Sequence, residues 1–163
     1  MKRKIIKKQD PDRNPRIFAI FIAYNAQHAL EQFYKEFPKH LFDQIILVDD
    51  ASSDTTYELS VKLGIRAYRN PVNLGYGGNI KRAIKLALEQ GADVIVDLHP
   101  DGEYKPSAIL PALKQVKENG AELVLGNRFT SIKKVVDSGM FLWKVVPILI
   151  LNYLPKFVLK LQI

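Results

Sequence analysis

Five short apolar-rich runs, Ile17 to Ala23, Ile45 to Val48, Ile65 to Tyr68, Ala92 to Asp97 and Ala121 to Gly126, alternate with segments of helical periodicity. That alternation constrains the fold more than any other feature of the chain. Strands separated by helices must run parallel, because each connection crosses back over the sheet. The expectation is an α/β domain with a mainly parallel sheet, helices on both faces and right-handed crossovers. The first helix spans Ala26 to Phe37, with Ala29, Leu30, Phe33, Tyr34 and Phe37 on one face. A second runs from Asp54 to Leu63, capped by Ser52 or Ser53 and stopped by Gly64. Asn70 to Gly78 reads as a Gly/Asn-rich loop, and Asn79 to Gln90 as a helix with Ile80, Ala83, Ile84, Ala87 and Leu88 on one face. Pro106 opens the fourth helix at a position that tolerates proline, and Gly120 separates it from the last strand.

The chain has 163 residues, which suits one domain, since about 150 residues bury roughly 70% of their extended surface. It contains no cysteine, which excludes a disulfide framework, a thiolate zinc site and a thiol nucleophile, and agrees with a reducing compartment. Charge is unevenly placed. Residues 1–16 carry seven Lys/Arg and two Asp, residues 17–132 twelve Lys/Arg against fourteen Asp/Glu, and residues 133–163 five Lys against Asp137. A mildly acidic body between two basic ends argues against a nucleic-acid groove through the fold. Three regions follow: a basic arm at 1–16, a globular domain at 17–132 and an apolar, basic segment at 133–163. The arm has two readings, contact with an anionic membrane surface or a solvated terminal extension. In the last segment the longest charge-free run, Val145 to Pro155, has eleven residues, against about 20 for a bilayer span. Phe141, Trp143, Tyr153 and Phe157 among lysines fit a segment lying on a membrane, and equally a helix packed on the sheet edge. The basic N-terminus lacks the apolar core and small-residue cleavage site of a signal peptide, so the expected location is the cytoplasm, either free or at the cytoplasmic face of the membrane.

Polar clusters follow three of the strands: Tyr24-Asn25, then Asp49 to Asp54, then His99-Pro100-Asp101-Gly102-Glu103. In a parallel sheet these strand ends open on one edge, where α/β proteins bind ligands. Either aspartate of the Asp49-Asp50 pair can accept a hydrogen bond from a base or ribose there, with Asp50 preferred. Ser52, Ser53 and Asp54 also have a purely structural reading as helix caps. His99, Asp101 and Glu103 alternate, so an extended chain aims one nitrogen and two oxygen donors to one side, a set suited to a hard divalent ion. A polar turn closed by Asp101 and Gly102 is the competing reading.

The chain resembles the family 2 glycosyltransferases, inverting enzymes of GT-A fold that use nucleotide sugars. The resemblance rests on five segments in order: Ala23-Tyr24-Asn25, Val48 to Thr55, Asn73 to Asn79, His99 to Tyr104 with Pro106, and Leu125 to Phe129. It covers residues 17 to 129 and is nearest to the dolichyl- and polyprenyl-phosphate sugar synthases. It implies a Rossmann-like GT-A sheet and a donor site built from Ala23, Tyr24, Asn25, Asp50, Asn73, Gly75, Gly78, Lys81, Asp101 and Arg128. It implies that Tyr24 flanks the base, Asp50 hydrogen-bonds it and Lys81 sits near the diphosphate of a UDP- or GDP-linked donor. Mg²⁺ or Mn²⁺ at Asp101, with Glu103 and His99 beside it, would assist the leaving diphosphate, and a polyprenyl phosphate is the implied acceptor.

His99 stands where many members of that family have aspartate, which leaves it as metal ligand, second-sphere group or substrate contact. Relatives of this kind continue further, so the chain is expected to be shortened at its C-terminal end. No general base is assigned within it, since after Glu103 only Glu118, Glu122 and Asp137 are carboxylates. The alternative to an active transferase is a non-catalytic sugar-nucleotide-binding module, or one part of a split enzyme completed by a partner subunit. Asp97-Leu98-His99 also matches the opening of two-metal phosphoesterases, but only His28 and His40 remain as further histidines. Gly75, Gly77 and Gly78 lack the third glycine of a dinucleotide site.

Overall fold

The structure, a computed structural model, describes residues 13–100 and 106–126. Four parallel strands, β1 (Ile17–Ala23), β2 (Gln44–Asp49), β3 (Arg66–Arg69) and β4 (Val94–Leu98), form one sheet in the order β3-β2-β1-β4. Four α-helices are present among the described residues, α1 (Gln27–Glu36), α2 (Thr56–Lys62), α3 (Gly75–Glu89) and α4 (Ile109–Asn119), with short 3-10 turns at Lys39–Leu41 and Pro106–Ala108. The α/β class and parallel sheet expected from the alternation are therefore observed. Two compact units divide after Ile109, the sheet with α1 to α3 in one and the chain from Leu110 in the other.

β1 is central and every one of its seven residues is buried, which is why its sequence is uniformly apolar instead of alternating. Its two faces meet different helices. Phe18, Ile20 and Ile22 pack with Ile46 and Val48 of β2 against Ala83 and Ala87 of α3. The small alanines let α3 lie close to the sheet. On the other face Phe21 meets Phe33 and Phe37 edge-on, with ring centroids 5.1 and 4.9 Å away. Such pairs add about 0.5–1.5 kcal/mol to area burial. Helices thus cover both faces of the sheet.

The chain enters β1 through a polar clamp. Arg16 N donates to Asp93 Oδ2 at 2.7 Å, Arg13 pairs with the same carboxylate at 2.6 Å, and the Arg16 guanidinium reaches the Gln90 carbonyl at 2.8 Å. Gly91, at φ +86°, lies against Arg16, where an added Cβ would come within 2.8 Å of the guanidinium. Residues 13 to 16 of the expected basic arm are therefore tied to the start of β4; residues 1–12 lie outside the described residues.

Three local expectations are corrected. The Gly/Asn-rich stretch read as a loop up to Gly78 becomes helix from Gly75, so Gly75, Gly77 and Gly78 form the first turn of α3. α2 begins at Thr56, and neither Ser52 nor Ser53 caps it. Instead Asp54 Oδ1 accepts from Thr56 N at 2.9 Å, while Ser52 Oγ accepts from Asn25 N at 2.9 Å. The fifth strand expected over Ala121 to Gly126 is absent: these residues carry no strand, and Leu123 and Leu125 are exposed. An apolar run becomes a strand only where its backbone finds an open edge, and periodicity does not supply one.

Candidate functional site

The strand order places the site. The chain moves outward from β1 to β2 and β3, then returns across the sheet to β4 on the opposite side of β1. β1 thus has β2, its successor, on one side and β4 on the other, and a crevice opens beyond the carboxyl ends of these strands, as it does where strand order reverses in α/β sheets. That crevice, of about 320 Å³, is lined by Ile22, Ala23 and Tyr24 after β1, Asp50 after β2, Asn73, Gly75, Tyr76 and Asn79 around the start of α3, and His99 and Pro100 after β4, with Ala26 at its margin. Tyr24 is half exposed and Tyr76 more so, so two aromatic faces flank a polar floor. A second hollow, at Tyr34, Phe42, Asp43, Gln44 and Arg66, lies at the opposite, amino ends of β2 and β3.

The two consecutive aspartates have separate environments. Asp49 is fully buried and spent on structure: Oδ2 accepts from Ser52 N at 3.2 Å and pairs with Arg69 Nε at 3.3 Å, and Oδ1 accepts from the Ser52 hydroxyl. Asp50 turns into the crevice. Its Oδ1 accepts from Asn70 Nδ2 at 2.5 Å and from Leu74 N at 2.8 Å. The carboxylate thereby sits at the amino end of α3, where the helix dipole favours negative charge. Oδ2 accepts no hydrogen bond among the described residues, and no buried polar side-chain atom there lacks a partner. Asp50 lines the crevice, and Oδ2 is the oxygen its hydrogen bonds leave available there.

Sharp turns aim these residues. Asn25 (φ 50°) and Ala51 (φ 58°) both adopt left-handed backbone immediately after β1 and β2. Asparagine tolerates this conformation; for alanine it costs about 1–2 kcal/mol. Asn25 Oδ1 then accepts from Ser53 N at 2.9 Å, and Asp54 Oδ2 accepts from Gln27 N at 3.2 Å, so the two turns brace each other. Burial alone would raise the Asp54 pKa, but hydrogen bonds from the Thr56 hydroxyl, Thr56 N and Gln27 N, with His28 nearby, hold it below the usual carboxylate value.

Of the residues expected at the donor site, Ala23, Tyr24, Asp50, Asn73 and Gly75 line the crevice. Asn25 braces the adjoining turn. Gly78 faces Leu74, whose Cβ would lie 2.6 Å from an added Cβ. Lys81 is exposed on the next turn of α3 and does not line the crevice. His99 does line it, 3.5 Å from Asp97 Oδ2 through Nε2 and with its ring centroid 5.3 Å from that of Tyr76. Asp101, Glu103 and Arg128 lie outside the described residues, as does the segment from 133 onward. Among the described residues no three His, Cys, Asp or Glu side chains group as metal ligands, and no helix is long and apolar enough to cross a membrane. His28 and His40 are both exposed. Tyr76 and Asn79 were not assigned roles from the sequence. Starting α3 at Gly75 places them three residues apart on one helix face, which is the signal that would have found them.

Comparisons with known proteins bear on the family and the fold. The chain is 30% identical over 129 residues to an uncharacterized protein of Methanocaldococcus jannaschii, covering 77% of this chain and 53% of that one. It is 28% identical over 135 residues to UDP-N-acetylglucosamine–dolichyl-phosphate N-acetylglucosaminyltransferase of Methanococcus voltae, covering 72% and 54%. The chain thus spans about half the length of these relatives. Among solved structures, glucosyl-3-phosphoglycerate synthase of Mycobacterium tuberculosis, in complex with Mn²⁺, UDP and glucosyl-3-phosphoglycerate, superposes with a TM-score of 0.52 at 20% identity, over 63% of this chain and 39% of that one. This likeness carries the fold, which is GT-A-like. The model of the family described as "Glycosyl transferase family 2" matches residues 18–157, and the chain belongs to that family.

Proposed function

We propose that the chain forms the donor-binding part of an inverting glycosyltransferase, which moves a sugar from a UDP- or GDP-linked donor to a polyprenyl phosphate. The observation that carries this reading is the switch-point crevice, which is lined by both the Asp50 carboxylate and the exposed ring of Tyr24. An acceptor oxygen and an aromatic face are what a nucleobase requires, one for an N–H of its edge and one for its π surface. The amino end of α3, entering the same crevice through Gly75 and Tyr76, suits the diphosphate.

The chemistry of the motif after β4 fits a divalent ion, because an imidazole and two carboxylates within five residues give mixed nitrogen and oxygen donors. Asp101, with Glu103 and His99, would hold Mg²⁺ or Mn²⁺. Held by these residues, it would supply positive charge to the departing nucleoside diphosphate. Asp50 and Tyr24 hold the base, and the start of α3 orients the diphosphate for departure from the anomeric carbon. A phosphate oxygen of the acceptor is already an anion and needs no deprotonation, so this chain need not contribute a general base to the attack. The dolichyl-phosphate transferase among the relatives supports the choice of acceptor, and the apolar, basic segment 133–163 suits a membrane surface.

Calorimetric titration of the purified chain with UDP, GDP and their sugar conjugates, with and without Mn²⁺, tests the reading. Metal-enhanced binding of one nucleotide is expected. Absence of binding to all of them overturns it.

A further inference from the structure

A hydrogen-bond relay leads away from the crevice floor to a cation that does not line it. Asp50 Oδ1 accepts from Asn70 Nδ2 at 2.5 Å, and the same nitrogen donates to Asn79 Oδ1 at 3.1 Å. Asn79 Nδ2 donates to the Val48 carbonyl at 3.0 Å, anchoring α3 to the backbone of β2. Asn70 Oδ1 accepts from the Arg82 guanidinium, which also reaches the Arg69 carbonyl at 3.3 Å. Asp50, Asn70 and Asn79 are each no more than 3% exposed.

The direction of this relay follows from its ends. A guanidinium can only donate, whereas an ionised carboxylate and a backbone carbonyl can only accept. The amide of Asn70 must therefore turn its oxygen to Arg82 and its NH₂ to Asp50 and Asn79. The opposite rotamer would set its oxygen against the carboxylate of Asp50 and its NH₂ against a cation. With Oδ1 of Asp50 held by Asn70 and by Leu74 N, the carboxylate has one orientation, which leaves Oδ2 to the crevice.

We infer that Arg82 is a positioning residue for nucleobase recognition: it fixes the Asn70 amide, which in turn fixes the Asp50 carboxylate. The inference rests on the donor-site reading above and assigns a role to a residue outside the crevice. Remove the guanidinium and Asn70 loses the one partner among the described residues that holds its amide oxygen, so the amide is held only through its NH₂. Asp50 then samples orientations that do not present Oδ2, and recognition of the base weakens. The hydrogen bond from Gly75 N to Asn73 Oδ1 at 2.8 Å does not involve Asp50, so the start of α3 and its interactions with a diphosphate are left in place.

The test compares Arg82→Met and Arg82→Lys with the unaltered chain, by titration with UDP, GDP and inorganic pyrophosphate in the presence of Mn²⁺, alongside thermal melting. The expectation is that Arg82→Met weakens the preferred nucleotide about ten-fold, the size of effect that loss of one charge-assisted hydrogen bond produces, and leaves pyrophosphate unchanged. Arg82→Lys, which keeps a cationic donor, recovers most of the loss. Unchanged nucleotide affinity in Arg82→Met overturns the inference while leaving the donor site standing. Equal weakening of nucleotide and pyrophosphate also overturns it, since that indicates a general structural defect. Failure of the unaltered chain to bind either nucleotide overturns the donor-site reading and this inference with it.

Discussion

Ala26 N donates to the hydroxyl of Thr56 at 2.8 Å, and that same hydroxyl donates to Asp54 Oδ1 at 2.5 Å. The turn after β1 and the start of α2 are thus joined through one side chain that is fully buried. The crevice wall carrying Tyr24 is held to the wall carrying Asp50 by this link and by the contacts of Asn25 with Ser53.

Asp54 makes that link sensitive to acid. Its folded-state pKa lies below the unfolded value, so its stabilising contribution is present above about pH 4 and is lost as pH falls through the folded value. Because the group is partly solvated, Asp54→Asn should cost under about 1 kcal/mol at neutral pH. The gap between variant and unaltered chain should close on acidification. Denaturant unfolding at pH 7 and near pH 3 measures it, and a gap that widens in acid contradicts the assignment.

Asp50→Asn keeps the volume of the side chain and retains an oxygen to accept from Asn70 and Leu74 N. It places an NH₂ where Oδ2 meets the crevice, turning an acceptor into a donor. Nucleotide affinity should fall by at least about ten-fold while the melting temperature changes by only a few degrees. Retention of full affinity would show that Asp50 does not contact the nucleotide.

Asp101→Ala should remove the enhancement of nucleotide binding by Mn²⁺ and leave metal-free binding near its original level, since one carboxylate ligand is lost. Titration of the variant with and without metal reads this directly. Metal dependence equal to that of the unaltered chain would move the ion elsewhere.

Gly78→Ala brings a Cβ to within 2.6 Å of Leu74 Cβ. Overpacking of this kind costs about 1–3 kcal/mol. Leu74→Gly removes the opposing atom, so in a double-mutant cycle Gly78→Ala should cost less on that background. Additive effects in thermal unfolding would show that the two positions do not oppose each other.

The strands β1 to β4 and the helices α1 and α3 were legible because burial imposes periodicity on residue choice. A central parallel strand must be apolar throughout, as Ile17 to Ala23 is, and a helix resting on a sheet needs a stripe such as Ala83 and Ala87. The candidate site was legible as three polar strand ends, since parallel strands bring their carboxyl ends to one edge. What the local sequence did not determine was partnership. The glycines at 75, 77 and 78 read as a loop, yet the amide ahead of them is held by the Asp50 carboxylate and the stretch winds into α3. Ala121 to Gly126 has the composition of a strand but no strand is formed there. Asp49 and Asp50 are chemically identical neighbours; Arg69, arriving from β3, claims the first, and Asn70, one residue later, orients the second. The periodicity of burial is written along the chain, where each residue's own transfer free energy enforces it. The choice of hydrogen-bond partner depends on groups 20 or more residues away, and only the folded backbone brings those within reach.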